Sequence, residues 1–172
     1  KVKIFNQDGF QFLEQTEDFY DVIIVDLPDP KSIEINKLYT QSFYDLCYRR
    51  LRQNGIFITQ AGSPYYATKA FKCVEKTMQA SNFNTLPMHN QVLTMGQWGW
   101  VLGMKTLTSE QIKENLLKIK FANVQTRWIT PNAMHILTYF GKDLIEVGEI
   151  EINTINNPAL FKYYKAGNWD LF

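Results

Sequence analysis

Two periodicities of hydrophobic and polar positions divide the first part of the chain into strands and helices. Val22–Val25 is a continuous β-branched run that is too short for a helix, so it predicts a strand covered on both faces in a parallel sheet. Two further short runs predict strands at 2–5 and 56–59. Apolar residues at helical spacing predict helices over 10–17, 36–51 and 67–80. Asn54-Gly55 is expected to end the second of these helices.

The alternation of strands and helices is the pattern of a parallel, doubly wound α/β sheet. Thr85–Leu93 and Gly99–Lys105 then predict the two strands of an antiparallel hairpin, with turns marked by Asn84 and Gly96. We therefore expect an α/β fold with a partial Rossmann-like sheet of the methyltransferase-like type, which closes with this hairpin.

The pattern changes again in the last third of the chain, which predicts an α-rich tail. Capping signals predict helices over 108–120 and 131–140, and residues 145–172 show short alternation without a clear element. The sequence thus predicts two parts, with the sheet in residues 1–105 and a helical and irregular extension packed on it in residues 106–172.

Composition is typical of a single globular domain. With 172 residues, of which 45% are hydrophobic and 15% aromatic, the chain is long enough to bury a core. The net charge is +1 and the charged residues are spread along the chain, so the sequence shows no charged patch for nucleic acid or for a membrane surface. Cys47 and Cys73 lie in predicted helices without metal or disulfide spacing, which predicts buried thiols in a reducing compartment. No apolar stretch reaches the roughly 18 residues that a membrane span requires.

The strand at 22–26 leads into a loop that carries two carboxylates. In open α/β sheets, ligands bind beyond the carboxyl ends of the strands, which is where Asp26 and Asp29 are expected. Pro28 and Pro30 fix φ and remove two backbone donors, so the loop should hold these carboxylates rigidly. The alternative is that one of the two aspartates caps the helix that follows.

Five segments, in order, resemble the polyamine aminopropyltransferases, the spermidine synthase family. Asp26-Leu27-Pro28-Asp29-Pro30 resembles the D-x-x-D-P catalytic loop of that family, and Gly96-Gln97-Trp98-Gly99-Trp100 resembles its late hairpin. The other segments are Asn6-Gln7-Asp8-Gly9, Leu38-Tyr39-Thr40 with Phe43-Tyr44, and the run from Asn54 to Tyr65. The resemblance covers residues 1–105 and implies the C-terminal portion of the catalytic domain.

The resemblance implies a transfer of an aminopropyl group from decarboxylated S-adenosylmethionine, a co-substrate, to putrescine or a related amine. Methylthioadenosine is released, and no prosthetic group takes part. The attacking amine has a pKa of about 10 in water, so it must first lose a proton. The resemblance implies that Asp26 accepts that proton and that Asp29 anchors the substrate amine. A carboxylate with the ordinary pKa of about 4 is a weak base. Asp26 therefore needs a raised pKa, or a water or tyrosine that relays the proton to it.

Further site residues follow from the same resemblance. Asp8 is expected to accept the exocyclic amine of adenine, and Gly9 to let the ring approach the backbone, with an ordinary Asp-Gly turn as the alternative. Gln60, Tyr39 and Tyr65 lie at or near strand ends, where they either line the amine channel or pack in the core. The two histidines lack metal-site spacing, so no metal is predicted.

The chain departs from the family at two places that touch the amine pocket. Lys31-Ser32-Ile33-Glu34 stands where the soluble members have a glycine and proline segment, and Leu93-Thr94 stands where they carry a tyrosine. These differences leave the acceptor amine open. Trp98 and Trp100 are interpreted as packing residues of the hairpin rather than as ligand contacts.

No G-x-G-x-x-G or G-G-G-D-G run occurs, although a nucleoside site of this fold normally opens with such a turn. Because the family has that turn upstream of Asp8-Gly9, we expect the chain to be a truncated, inactive fragment. Ser63-Pro64-Tyr65 and parts of the tail resemble a long branch whose enzyme domain follows transmembrane helices. This implies a cytoplasmic-side domain of a membrane protein, with membrane helices only outside this chain, or otherwise a cytoplasmic protein. We also expect a homo-oligomer that binds a small polyamine and a sulfonium nucleoside, and no nucleic acid.

Two other functions stay open at this point. One is an S-adenosylmethionine-dependent small-molecule methyltransferase on the same fold, and the other is a non-catalytic ligand-sensing domain. The D-x-x-D-P loop argues against the methyltransferase, which has no general need for two acids there. The presence of both Asp26 and Asp29 argues against the sensing domain.

Overall fold

The computed structural model of the protein describes residues 1–127, 129–141 and 147–169. Its strands are β1 (Tyr20–Val25), β2 (Leu51–Gly62), β3 (Asn84–Val92) and β4 (Gly96–Met104). Its helices are α1 (Gly9–Gln15), α2 (Ile33–Asn36), α3 (Gln41–Arg50), α4 (Thr68–Ala80), α5 (Ser109–Leu117), α6 (Pro131–Leu137) and α7 (Ala159–Lys165). A 3-10 turn, Lys37–Tyr39, joins α2 to α3.

The four strands form one mixed sheet in the order β1-β2-β4-β3. β1 runs parallel to β2, whereas β4 is antiparallel to both β2 and β3. The mixed α/β fold and the closing hairpin are therefore confirmed. Gln60 near the end of β2 pairs with Trp100 in the first half of β4. The carboxyl ends of β1 and β2 and the start of β4 consequently meet at one edge of the sheet.

The predicted strand at residues 2–5 is wrong. This segment is irregular and exposed, with 90% of Val2 and 83% of Ile4 accessible to solvent. A strand needs hydrogen-bonding partners on a neighbouring strand, and residues 2–5 pair with none in the part of the chain that the structure describes.

The prediction that both faces of β1 are covered is also wrong. Val25 is buried, but 53% of Val22 and 70% of Ile24 are exposed on the opposite face. On that face, Ile112 of α5 packs with Leu86 and Met88 of β3 and with Leu102 of β4. A β-branched run therefore forms a strand here with one face open.

The predicted helix over 36–51 is interrupted; it ends at Arg50, close to the predicted position, but the prediction that Asn54-Gly55 ends it is wrong. Instead of one helix, α2, the 3-10 turn and α3 follow one another, and Asn54-Gly55 lies within β2. The register with β1 passes from Tyr20↔Leu51 to Val22↔Ile56, so extra residues of β2 bulge at this point. A Cβ on Gly55 would lie 2.8 Å from the Leu51 side chain and 2.9 Å from the Asp21 carbonyl oxygen. The glycine therefore permits a crowded bulge and does not end a helix.

The main core lies between α3, α4 and one face of the sheet. Its largest buried side chains include Tyr44, Phe57 and Phe71. Cys47 and Cys73 are buried as predicted, and burial raises the pKa of the Cys73 thiol to about 12. No helix among the described residues is both long and apolar enough to cross a bilayer.

The tail contains a helix that the sequence pattern did not reveal. α7 packs against α4, and Leu160 and Tyr164 belong to the main core. Asn153 has no exposed surface; its side chain donates to the Tyr39 carbonyl (3.0 Å) and accepts from the Leu160 backbone N–H (3.2 Å). The tail is thereby fixed to the 3-10 turn that lies beyond the loop from Asp26 to Pro30, called the acidic loop below. Residues 145–146 and 170–172 of the predicted irregular region lie outside the described residues.

Candidate active site

A cavity of about 490 Å³ opens at the edge of the sheet where β1 and β2 end. The loop after β1 forms one side of it, and the β3–β4 hairpin forms the other. The lining residues are Asp26, Leu27, Pro28, Asp29, Lys31, Ile35, Gln60, Val92, Met95, Trp98 and Trp100. Two carboxylates thus face a space bounded mainly by apolar and aromatic side chains, which is the usual make-up of a small-molecule site.

Asp26 and Asp29 both line this cavity, but their surroundings differ. Asp26 is exposed, and its carboxylate has no hydrogen bond or ion pair with any residue that the structure describes. The Asp29 side chain is only 19% exposed. Its Oδ2 accepts a hydrogen bond from the Tyr164 hydroxyl (2.7 Å) and lies 3.4 Å from the Lys31 ammonium. One carboxylate is therefore available to a ligand, while the other is held in position.

Neither aspartate caps the helix that follows the loop, so that alternative is wrong. The N-cap of α2 is Ser32, whose hydroxyl accepts the backbone N–H of Ile35 at 3.3 Å. The two carboxylates are left without a local structural role of this kind.

Gln60 connects the loop to the sheet beneath it. Its Nε2 donates to the Leu27 carbonyl (2.6 Å) and to the Tyr39 hydroxyl (2.8 Å), and its Oε1 accepts the indole N–H of Trp98 (2.9 Å). The Tyr39 hydroxyl in turn donates to the Pro28 carbonyl at 3.2 Å. Such a network is electrostatically strong because Gln60 and Tyr39 are 5% and 1% exposed.

Burial raises the pKa of Tyr39 far above its ordinary value, despite the opposing hydrogen bond from Gln60. The phenol therefore stays protonated and keeps its donor for the loop carbonyl. Gln60 faces the cavity, whereas Tyr39 lies behind it. Their proposed contact with the amine stays a prediction for both residues, and for Tyr39 the structure shows a supporting role.

Tyr65 lies outside this cavity. Its hydroxyl donates to the Phe140 carbonyl at 2.5 Å, and its ring lines a separate surface cavity beside Tyr163. The structure therefore does not bring Tyr65 together with the two carboxylates.

Asp8 and Gly9 also lie away from the cavity. The Asp8 carboxylate caps α1 by accepting the backbone N–H groups of Phe10 (2.8 Å) and Gln11 (3.2 Å). Its second oxygen lies 2.6 Å from the Lys37 ammonium, and this hydrogen bond lowers the pKa of Asp8. A Cβ on Gly9 would meet no atom within 4 Å, so no close packing requires glycine there. The adenine contact of both residues stays a prediction.

Several lining residues were not recognised from the sequence as part of a site. Trp98 and Trp100 were interpreted as packing residues of the hairpin, yet both line the cavity. Their position in the Gly96-Gln97-Trp98-Gly99-Trp100 segment was a usable signal, because that hairpin starts at the functional edge of the sheet. Tyr164 gave no such signal, since it lies in a tail without a recognisable element.

Comparison with known proteins shows which family this chain is similar to. Residues 1–116 match the model described as "Spermine/spermidine synthase domain". The polyamine aminopropyltransferase of Oceanobacillus iheyensis is 39% identical over 99% of this chain and 32% of its own length. That of Leptospira interrogans is 34% identical over 95% of this chain and 31% of its own length. The chain therefore spans about a third of the length of these curated relatives.

Two solved structures share the fold. A spermidine synthase in complex with the transition state analogue AdoDATO superposes with a TM-score of 0.65 and 22% identity, over 79% of this chain and 47% of that one. The spermidine synthase of Thermotoga maritima gives a TM-score of 0.59 and 19% identity, over 78% of this chain and 44% of that one. At these identities, the likeness establishes the spermidine synthase fold, which is methyltransferase-like, and nothing finer.

Proposed function

We propose that this chain, which belongs to the spermine/spermidine synthase family, forms the amine-binding part of a polyamine aminopropyltransferase. The observation that carries the proposal is that Asp26 and Asp29 line one cavity. The reaction transfers an aminopropyl group from decarboxylated S-adenosylmethionine to putrescine or a related amine, and it releases methylthioadenosine. The names of the two curated relatives support this activity.

Asp26 is the base in this proposal. A polyamine arrives protonated at neutral pH because its pKa is about 10, and only the neutral amine has a lone pair for attack. The free carboxylate of Asp26 accepts that proton and directs the nitrogen toward the carbon bound to the sulfonium. The new C–N bond forms as the C–S bond breaks, and the electron pair of the C–S bond stays on sulfur. No metal or prosthetic group is needed, because the positive sulfur already makes a good leaving group.

Asp29 binds the second ammonium of the acceptor. Its partly buried carboxylate faces the cavity together with Trp98 and Trp100. Indole rings suit a polyamine in two ways, since they cover its methylene groups and attract its ammonium groups through cation–π interactions. Gln60 supports this arrangement by holding the backbone of the loop through the Leu27 carbonyl.

The nucleoside half of the site is proposed at Asp8 and Gly9. The sequence contains neither the glycine-rich turn nor a clear ribose-binding acid, so we expect residues 1–172 alone to bind the nucleoside weakly and to be inactive. The expected homo-oligomer, the membrane helices outside this chain and the cytoplasmic-side location stay predictions. So does the division into residues 1–105 and 106–172.

A ligand titration of the full-length protein tests the proposal. Decarboxylated S-adenosylmethionine and methylthioadenosine should bind much more tightly than S-adenosylmethionine, and adding putrescine or a related diamine should release methylthioadenosine. Tighter binding of S-adenosylmethionine, with methyl transfer to a small acceptor, would instead select the methyltransferase. Binding without turnover of any amine would select a ligand-sensing domain.

A further inference from the structure

The carboxylate of Asp29 is held by a residue from the far end of the chain. Tyr164 lies 135 positions later, on α7, and its hydroxyl donates to Asp29 Oδ2 at 2.7 Å. Burial and the hydrogen bond to Asp29 both raise the pKa of Tyr164, so its hydroxyl remains a donor. Oδ1 of Asp29 accepts no hydrogen bond from the residues that the structure describes. One oxygen of the carboxylate is thus occupied, and the other is left for a ligand.

The position of Tyr164 relative to the loop is itself fixed. Asn36, 2% exposed, accepts the backbone N–H of Phe161 in the first turn of α7 at 3.1 Å. At the other end of the helix, the Tyr164 ring packs on Trp169 with ring centroids 4.6 Å apart, and the Trp169 indole donates to the Tyr164 carbonyl at 2.7 Å. The hydroxyl therefore reaches Asp29 from a helix that is anchored on both sides.

We propose that Tyr164 is a positioning residue that orients Asp29 and thereby sets the length of the diamine that the site accepts. This inference rests on the proposed function, in which Asp26 receives the reacting amine and Asp29 binds the distal ammonium. The distance between the two nitrogens of a diamine depends on its number of methylene groups. If the Asp29 carboxylate is held in one orientation, only one chain length matches both aspartates well, and a freely rotating carboxylate discriminates less.

The adjacent tyrosine provides a matched control. Tyr163 is on the same helix, and its hydroxyl also donates to a carboxylate, Glu151 Oε1, at 3.2 Å. That contact lies at a different surface cavity, away from Asp26 and Asp29. Tyr163→Phe and Tyr164→Phe thus remove the same atom and a hydrogen bond to a carboxylate, which in Tyr164 is a carboxylate that lines the cavity and in Tyr163 is not. Tyr163→Phe also removes the bond that its hydroxyl accepts from the Glu151 backbone N–H. Both variants keep the aromatic ring.

The test measures dissociation constants and steady-state kinetics of the full-length protein with diaminopropane, putrescine and cadaverine. For the preferred diamine, Tyr164→Phe should raise KM and Kd about tenfold, the usual effect of losing a hydrogen bond to a charged group. The preference over the next chain length should fall several-fold, while kcat and the KM for the sulfonium nucleoside stay unchanged. Tyr163→Phe should change none of these values. An equal loss for all three diamines, or no change, would overturn the inference.

A double-mutant cycle guards against a general packing effect. With Asp29→Asn already present, Tyr164→Phe should add no further change in diamine Kd, because the orientation of a carboxylate is no longer at issue. A further loss in that background would show a structural role and overturn the inference.

Direct binding measurements distinguish a failure of this inference from a failure of the proposed reaction. If diamines bind with a length preference that depends on Tyr164 but no transfer occurs, the reaction is wrong and the inference stands. If the unaltered protein binds no diamine, the inference is wrong.

Discussion

Trp98 donates its indole N–H to the side-chain oxygen of Gln60 over 2.9 Å, and this bond joins the hairpin to the centre of the sheet under the acidic loop. Gln60 uses its other end to hold the Leu27 carbonyl. A single buried amide therefore links the two sides of the cavity. We expect the stability of the fold and the geometry of the site both to depend on it.

Replacing this amide should affect both. Gln60→Met keeps a similar volume but leaves the Trp98 N–H without its partner and removes the shorter of the two hydrogen bonds to the Leu27 carbonyl, whose other donor is the Tyr39 hydroxyl at 3.4 Å. Leaving buried polar groups unsatisfied costs about 1–3 kcal/mol each, so we expect the free energy of unfolding to fall by about 3 kcal/mol. The kcat/KM for the amine should fall as well. Denaturant unfolding and steady-state kinetics of the full-length protein measure the two effects.

Gln91→Met is the control for this change, because Gln91 is exposed on β3 and its side chain bonds only to Gln97 among the described residues. It should leave stability within about 0.5 kcal/mol of the unaltered protein. If Gln60→Met is equally harmless, the network does not support the loop.

Lys31 should compete with the substrate for Asp29. Its ammonium lies 3.4 Å from Oδ2, but its side chain is 70% exposed, so the pair is weak and screened by salt. Lys31→Gln should therefore lower the KM for the amine by about two- to threefold at low ionic strength, and the difference should shrink as salt is added.

The matched control for Lys31 is Lys118→Gln, which breaks an exposed ion pair with Glu114 on α5. It should not change the KM. A higher KM in Lys31→Gln would mean that Lys31 helps to bind the acceptor and does not compete with it.

Asp8 offers a test of the nucleoside contact that is separable from its role in α1. Asp8→Ala should weaken methylthioadenosine binding by about 1–3 kcal/mol, the cost of an unmatched buried polar partner. It should also cost about 1 kcal/mol of stability through the lost N-cap. Calorimetry and thermal unfolding of the full-length protein report the two quantities independently.

Lys37→Met completes that experiment, since it removes the ion pair with Asp8 and keeps the cap. Methylthioadenosine should bind to this variant at least as tightly as before, because a carboxylate oxygen is freed. If Asp8→Ala loses stability but no affinity, Asp8 is only a helix cap.

The sequence was sufficient where neighbours along the chain determine the structure. Val22–Val25 and Asp26 are contiguous, and two prolines restrict the loop that follows, so the strand and the position of its acids were predictable. Gly96 lies at the turn of the hairpin with a φ of 72°, a conformation that glycine adopts readily. The hairpin was predictable for the same reason.

The sequence was insufficient where contacts between distant segments determine the structure. The apolar run at 2–5 has the pattern of a strand, but strand formation depends on a neighbour and not on the run itself. At the bulge, Gly55 has no room for a side chain beside Asp21 on another strand, and the sequence alone does not show that this strand lies there. The contact between Tyr164 and Asp29 joins positions 135 residues apart, and no local periodicity reports such a pair.

The central claim is that Asp26 takes the proton of the attacking amine, and Asp26→Asn tests it most directly. The measurement is the rate of methylthioadenosine release by the full-length protein at saturating amine and decarboxylated S-adenosylmethionine. Asp21→Asn is the control, because this aspartate is on β1 but 79% exposed and paired with Arg52. Asp26→Asn should lower the rate about a thousandfold, with methylthioadenosine affinity unchanged, since an amide cannot accept the proton. Asp21→Asn should retain full activity. An Asp26→Asn enzyme with more than about a hundredth of the original rate would contradict the account, because losing a general base costs at least about a hundredfold.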